Sequence, residues 1–273
     1  MNRFLTSFGA ALVGTMSALS PASAQIVENG LSDVVSVSLL TGWRDEHGTH
    51  HAALRFSLAP GWKTYWRAPG DGGIPTRMDW SASTNLREAH TLWPIPQVFR
   101  QNGLRSVGYR DEFVLPLAFD ADGNGPIEID GHLAFGVCDE VCMPVNLDLH
   151  ALLDPADQTD VTEISAALQR HPLSADQANV QNINCALHRS DTHTRIDVEL
   201  DMPPLAGNGE AVVIEVANPH LWVAEPLIHR DGDHLKMRAE VASRTGAPFA
   251  VDMQQMRVTV ITTQTAVEII GCP

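Results

Sequence analysis

The stretch Ile127-Glu128-Ile129-Asp130-Gly131-His132-Leu133-Ala134-Phe135-Gly136-Val137-Cys138 decides how the chain is read. Ile127, Ile129, Leu133, Phe135 and Val137 share one parity, and Glu128, Asp130 and His132 take the other. Alternate residues of a strand face opposite sides of its sheet, so the pattern predicts a strand with one buried and one wet face. A second such strand follows, in which Val145, Leu147 and Leu149 alternate with Asn146, Asp148 and His150. Between the two lies Cys138-Asp139-Glu140-Val141-Cys142, which a hairpin would place at its turn.

Similar short alternations, punctuated by Gly, Pro, Asp and Asn, run from about residue 32 to residue 153 and predict a sandwich of antiparallel strands. Asp154-Pro155 interrupts them, and residues 161–168 read as a short helix ahead of His171-Pro172. Alternation then resumes at Ile196/Val198/Leu200, Val212/Ile214/Val216, Leu235/Met237/Ala239 and Met256/Val258/Val260. The expected fold is all-β: two immunoglobulin-like β-sandwich domains joined by a short helical linker. The first sandwich is expected over residues 25–153, the linker with its helix over 154–180, and a second, smaller sandwich over 181–273.

Residues 1–24 are expected to be a cleaved secretory signal peptide. Arg3 supplies a positive start, an apolar run extends from Phe4 to Leu19, and Ala22-Ser23-Ala24 fits a small-x-small cleavage site. The run stops short of the roughly 20 residues a spanning helix needs, and no other stretch approaches that length. Export would put the chain in an oxidising extracytoplasmic space, where disulfides persist. Eighteen Lys and Arg against 33 Asp and Glu give a net charge of −15. Such an acidic surface repels phosphate backbones and anionic lipid, which argues against nucleic acid as a partner.

The four cysteines therefore read as two pairs. Cys185 and Cys272 stand at the two ends of the second half, and a structural disulfide is expected there. Closing so long a loop contributes roughly 4–5 kcal/mol in the chain-entropy picture; two independent thiols are the alternative. Cys138 and Cys142 can bridge only if their segment curls as a turn. If strand parity continues into that turn, both face outward, where an exchanging thiolate could reach them. A plain structural clip across the hairpin fits the spacing equally.

Cys138, Cys142 and Met143 are also soft enough donors for Cu(I), although parity sets Met143 on the opposite face from Cys142. His47, His50 and His51 invite a metal reading, but His50 and His51 would point to opposite faces of a strand, so only one of them could join His47, and a solvated loop is expected instead. No Ser/His/Asp grouping, phosphate-binding glycine loop or HExxH pattern stands out.

Four segments together carry a resemblance. They are the run Gly61-Trp62-Lys63-Thr64-Tyr65-Trp66-Arg67-Ala68-Pro69-Gly70-Asp71-Gly72-Gly73-Ile74-Pro75, then Trp93-Pro94-Ile95-Pro96, Gly108-Tyr109, and Val137 through Pro144. Over about residues 30–153 the chain resembles the N-terminal periplasmic domain of DsbD-type thiol:disulfide interchange proteins, nearest to the ScsB-like, suppressor-of-copper-sensitivity branch. The resemblance implies an immunoglobulin-like sandwich in the periplasm and a protein-disulfide reductase type of activity.

On that basis Cys138 and Cys142 form the catalytic dithiol, taking electrons from a membrane electron-transfer protein and passing them to thioredoxin-like periplasmic proteins. It also implies a cap loop at Pro69, Gly70, Asp71, Gly72 and Gly73, with Tyr65 and Trp66 as core or cap-supporting aromatics. No resident cofactor is implied. The alternatives are a Cu(I)-binding, copper-tolerance protein using the same sulfurs and a non-catalytic β-sandwich interaction module. The chain departs from the family pattern in two ways. The best-known members space their cysteines further apart, and members usually continue into a multi-helix membrane domain and a thioredoxin-like domain. A separate subunit and a truncated chain both fit the second departure.

Overall fold

The computed structural model describes residues 31–101, 103–189 and 193–272; the expected signal peptide lies outside them. The first ten strands among the described residues are β1 (Val35–Arg44), β2 (Thr49–Leu58), β3 (Lys63–Tyr65), β4 (Arg77–Asp79), β5 (Leu86–Thr91), β6 (Gln97–Gln101), β7 (Leu104–Arg110), β8 (Glu112–Ala121), β9 (Ile127–Cys138) and β10 (Cys142–Leu153). They form two sheets, ordered β1-β2-β8-β5 and β10-β9-β3-β7-β6, with β4 joining β9 on the side away from β10.

The parity read from the sequence is the parity of the core. Ile127, Ile129, Leu133, Phe135 and Val137 pack against Val37, Leu54, Phe56, Leu115, Leu117 and Phe119 of the facing sheet. Each such side chain, withdrawn from water, contributes on the order of 1.5–3 kcal/mol. β9 and β10 pair antiparallel without a slip, from Ile127 opposite Leu153 to Cys138 opposite Cys142.

β3 and β4 are two pieces of one neighbour to β9, interrupted by residues 66–76. Lys63 and Thr64 pair with Cys138 and Val137, and Arg77, Met78 and Asp79 pair with Ala134, Leu133 and His132. The interruption holds the Pro/Gly-rich segment, which has little strand propensity.

The helix α1 (Val161–Leu168) buries Ile164 and Ala167. Ile164 is completely buried against Leu40 and Ala53, with Trp43, Val114 and Leu168 at the margin. Arg55 of β2 donates from Nε to Glu163 Oε1 at 2.7 Å. The helix is thus docked on the outer face of the first sandwich.

The remaining strands are β11 (Leu173–Ser174), β12 (Asn182–Arg189), β13 (Thr194–Asp201), β14 (Ala211–Glu215), β15 (Leu221–Val223), β16 (Leu227–Asp231), β17 (His234–Ser243), β18 (Arg257–Ile261) and β19 (Ala266–Ile270). They form sheets ordered β11-β19-β18-β14 and β12-β13-β17-β15, with β16 also on β17. Ile196, Val198, Leu200, Leu235, Met237, Ala239, Val258 and Val260 fill the space between them. β11 adds to β19 in parallel, so residues 173–174 belong to this second pair of sheets. The all-β, twin-sandwich expectation is what the chain adopts, with α1 as its single α-helix among the described residues. None of those residues forms a helix long and apolar enough to cross a membrane.

The two sandwiches share a small apolar core of their own. Trp66, Val107 and Tyr109 of the first meet Val213, Ile261 and Ala266 of the second. Trp66 is completely buried there.

One expectation is corrected. His50 is not in a solvated loop: it lies on β2, fully buried, with Nε2 2.6 Å from the Thr41 carbonyl oxygen. β2 starts earlier than the polar run Thr49-His50-His51 suggested, and its inward parity captures His50. His51 faces the other way and meets Asp45 at 2.9 Å. Burial pushes the His50 imidazole below its ordinary value.

Two outcomes are expected. Ile164→Ala should cost about 2–5 kcal/mol in urea unfolding, through lost burial and the cavity left behind. The contribution of His50 to stability is whole above the unfolded-state value of 6.5 and falls as pH drops below it, because only the folded chain resists its protonation. His50→Gln should therefore lessen the drop in unfolding midpoint between about pH 7.5 and about pH 5.5.

Candidate functional site

Cys138 ends β9 and Cys142 begins β10, directly opposite each other with Cα atoms 4.1 Å apart, and the two are disulfide-bonded. Asp139-Glu140-Val141 makes the turn, closed by Asp139 N–H donating to the Val141 carbonyl at 3.3 Å. Both cysteines carry the even parity, away from the core, as the alternation required. Their exposure differs sharply. Cys138 is only 4% exposed, whereas Cys142 is exposed. β9 is flanked on both sides, with Lys63 of β3 opposite Cys138, while β10 is the edge of its sheet. Met143, one residue on, turns inward and packs on the core of the first sandwich. It does not join the sulfurs.

A shallow depression of about 130 Å³ surrounds the pair, walled by Lys63, Tyr65, Gly72, Gln101, Leu104 and Ser106. Tyr65 is the central wall. Its ring is buried, and its hydroxyl sits 3.4 Å from Cys142 Sγ and 3.3 Å from the Gly72 carbonyl oxygen. A disulfide sulfur has no proton, so the hydroxyl is the donor to both. Burial pushes that hydroxyl above its ordinary value, and it stays protonated at neutral pH.

Lys63 closes the other side. Its Nζ donates to Gln101 Oε1 at 3.0 Å, and Gln101 Nε2 donates to the Asp139 carbonyl at 3.2 Å, clasping β3, β6 and the hairpin turn. Burial pushes the Lys63 ammonium below its ordinary value; Arg110 adds to this and Asp139 opposes it.

The loop expected to be a cap runs along the rim. Gly72 borders the depression, and Gly73 is a glycine for want of room, since a Cβ there would lie 2.3 Å from Pro69 Cβ and 2.8 Å from Tyr65 Cδ1. Gly70 has φ +79°, and its added Cβ would meet the Arg105 carbonyl oxygen at 2.8 Å. Asp71 instead turns to the second sandwich and accepts from Trp222 Nε1 at 2.9 Å.

Lys63, Gln101, Leu104 and Ser106 were not foreseen as neighbours of the cysteines, and Tyr65 was expected only to support the core or the loop. One signal was present: Lys63 and Tyr65 share parity, so a strand carrying one to the site carries both.

Cys185 of β12 and Cys272, just past β19, are also bonded, with Cα atoms 6.1 Å apart. The bridge ties the two sheets of the second sandwich, and Cys272 is buried in its core. A larger cleft of about 630 Å³ lies between α1 and the β7–β8 region, lined among others by Arg55, Tyr109, Arg110 and Glu163. No cysteine lines it, whereas Cys138 and Cys142 both line the smaller depression.

Tyr65→Phe keeps the buried ring and removes only the hydroxyl. It should lower stability by about 0.5–1.5 kcal/mol, the net worth of a hydrogen bond, as read from urea unfolding of the oxidised chain.

Comparison with known proteins accords with this geometry. Residues 36–154 match the family described as thiol:disulfide interchange protein DsbD, N-terminal. The whole arrangement is similar to the crystal structure of the N-terminal periplasmic domain of ScsB from Proteus mirabilis, with a TM-score of 0.71 at 20% identity over 93% of this chain and 100% of that one. That likeness is one of fold, and it spans both sandwiches. No curated protein sequence matches the chain. The matched segment opens within β1 and closes one residue beyond β10, taking in both cysteines of the hairpin, so over these residues the first sandwich is similar to the DsbD N-terminal domain family.

Proposed function

We propose that the chain is a periplasmic thiol-disulfide exchange module, delivered through a cleaved signal peptide, in which Cys138 and Cys142 form a reversible catalytic dithiol. In this reading residues 25–153 carry the chemistry, residues 154–180 lead away from it, and residues 181–273 form a second sandwich held by the Cys185–Cys272 bridge. The dithiol takes electrons from a membrane electron-transfer protein and hands them to thioredoxin-like periplasmic proteins. The family match over residues 36–154 supports the reaction class.

The observation that carries the reading is the asymmetry of the pair: one sulfur exposed on an edge strand, the other buried beneath its neighbours. A thiolate from the electron donor attacks Cys142 Sγ, the S–S bond breaks, and its electron pair passes to Cys138 Sγ. The donor's second thiolate then attacks its own sulfur in the mixed disulfide, freeing Cys142 as a thiolate and leaving the donor oxidised. In the outward reaction Cys142 attacks the acceptor's disulfide and Cys138 resolves the mixed species. The Tyr65 hydroxyl, 3.4 Å from Cys142 Sγ, donates to the developing thiolate. The Lys63 ammonium, on the same depression, stabilises negative charge on either sulfur.

A copper-tolerance role is the weaker reading. With Met143 packed inward, only two sulfurs remain as soft ligands at the site, and a dedicated Cu(I) site would want a third on the same face.

Redox titration of the full chain tests the proposal. A structural disulfide lies below about −300 mV, and the Cys138–Cys142 pair is expected above that value; a lower midpoint overturns the exchange role. Cys138→Ser should trap a mixed disulfide on Cys142 with a thioredoxin-like acceptor. Cys142→Ser should trap none.

A further inference from the structure

The segment from Arg67 to Gly73 lies against the candidate site, yet its charged residues all point to the other sandwich. Arg67 donates from Nε to Glu215 Oε1 at 3.0 Å and from Nη2 to Glu215 Oε2 at 3.0 Å, and it also pairs with Glu268. Asp71 accepts from Trp222 Nε1 at 2.9 Å. The strand beneath the loop is tied in the same way. The Pro69 carbonyl accepts from Val107 N–H at 2.9 Å, and Gly70 lies close on the Arg105 carbonyl. Arg105 is itself buried and donates from Nη1 to the Val212 carbonyl at 2.6 Å, with its Nε 3.8 Å from Glu225 Oε1. Arg100 reaches the same Glu225 at 2.5 Å.

An acidic chain has no general need of arginines gathered here. Three contacts from the second sandwich, Arg67 with Glu215 and with Glu268 and Asp71 with Trp222, converge on one short loop, and Gly72 of that loop shares the Tyr65 hydroxyl with Cys142 Sγ.

We propose that the second sandwich is a positioning element for the exchange site, with Trp222 and Asp71 as the pair that holds the loop beside Cys142. This rests on the exchange role proposed above. Trp222 and Asp71 touch neither sulfur; they act through the loop and through Tyr65. Trp222 stands 36% exposed, so its indole N–H serves the link to Asp71 more than the core. Releasing the loop opens the side of Cys142 that Tyr65 and Gly72 wall and withdraws Gly72 from the Tyr65 hydroxyl.

The test uses the full oxidised chain and the rate at which reduced glutathione opens the Cys138–Cys142 disulfide. Trp222→Phe keeps an aromatic ring and loses the donor; Asp71→Ala loses the acceptor; Asp71→Asn keeps an acceptor oxygen. Trp222→Phe and Asp71→Ala should each raise the rate about three- to tenfold, the range that one hydrogen bond spans. The double variant should be no faster than either single one, and Asp71→Asn should stay near the parent rate. Urea midpoints within error of the parent would separate positioning from loss of fold.

Rates within twofold of the parent, slower rates, or effects that multiply in the double variant overturn the positioning role while leaving the exchange reading intact. Should the unaltered chain resist glutathione and dithiothreitol alike, the exchange reading falls and this proposal falls with it.

Discussion

The register of β9 on β10 is the constraint on which the rest depends. With Ile127 opposite Leu153, every odd residue of β9 from Ile127 to Val137 faces the core or its margin, and Cys138 must then face outward opposite Cys142. A slip of one residue would turn Ile129, Leu133 and Phe135 to water and the charged face inward, an exchange no sandwich can absorb. The position of the sulfurs is therefore set by hydrophobic burial many residues away. The disulfide closes a hairpin whose register the core has already selected.

A three-residue run then joins that hairpin to everything else. Tyr65, Trp66 and Arg67 follow one another out of β3, and each serves a different partner. Tyr65 lays its hydroxyl against Cys142, Trp66 fills the apolar seam between the sandwiches, and Arg67 bridges to Glu215 and Glu268 with its guanidinium 4.1 Å from the Trp66 ring. Burial works against the Arg67 charge, and the two carboxylates more than offset it, holding its ionisation above the ordinary value. A buried ion group of this kind adds little net stability, because desolvation consumes most of the attraction. Its effect is to select one geometry, since removing either side strands a charge. Three consecutive residues thus connect the cysteine pair, the seam and the second sandwich.

What the sequence revealed follows from the range of each interaction. The alternation in β9, β10, β13 and β17 was legible because side-chain parity is local, and α1 was legible as a short run set between Asp154-Pro155 and His171-Pro172. Cys138 and Cys142 were legible as a hairpin pair for the same reason, whereas Cys185 and Cys272 were paired only from their places at the two ends of the second half. Lys63 and Gln101 were not: they meet at the site because β3 and β6 lie in one sheet, and strand order leaves no mark in either segment. Arg67 finds Glu215 and Glu268 across 148 and 201 residues of chain. Nothing near Asp71 announces Trp222. His50 was misjudged because a polar triplet resembles a loop, and only the facing Thr41 carbonyl makes its burial tolerable.

Strand order also explains why the two cysteines differ. β9 sits inside its sheet, so Cys138 has neighbours on both flanks, whereas β10 has one free side. An edge strand is a hazard in most proteins, because its unpaired backbone invites another strand. Here that edge carries Pro144, which has no N–H to offer. On its outward face Asp148 pairs with His132 at 2.7 Å and His150 with Asp130 at 3.3 Å. The edge is thus blunted along its length and left open where Cys142 begins it. Cys142 is open to solvent at that end, and Cys138 lies beneath its neighbours on β9.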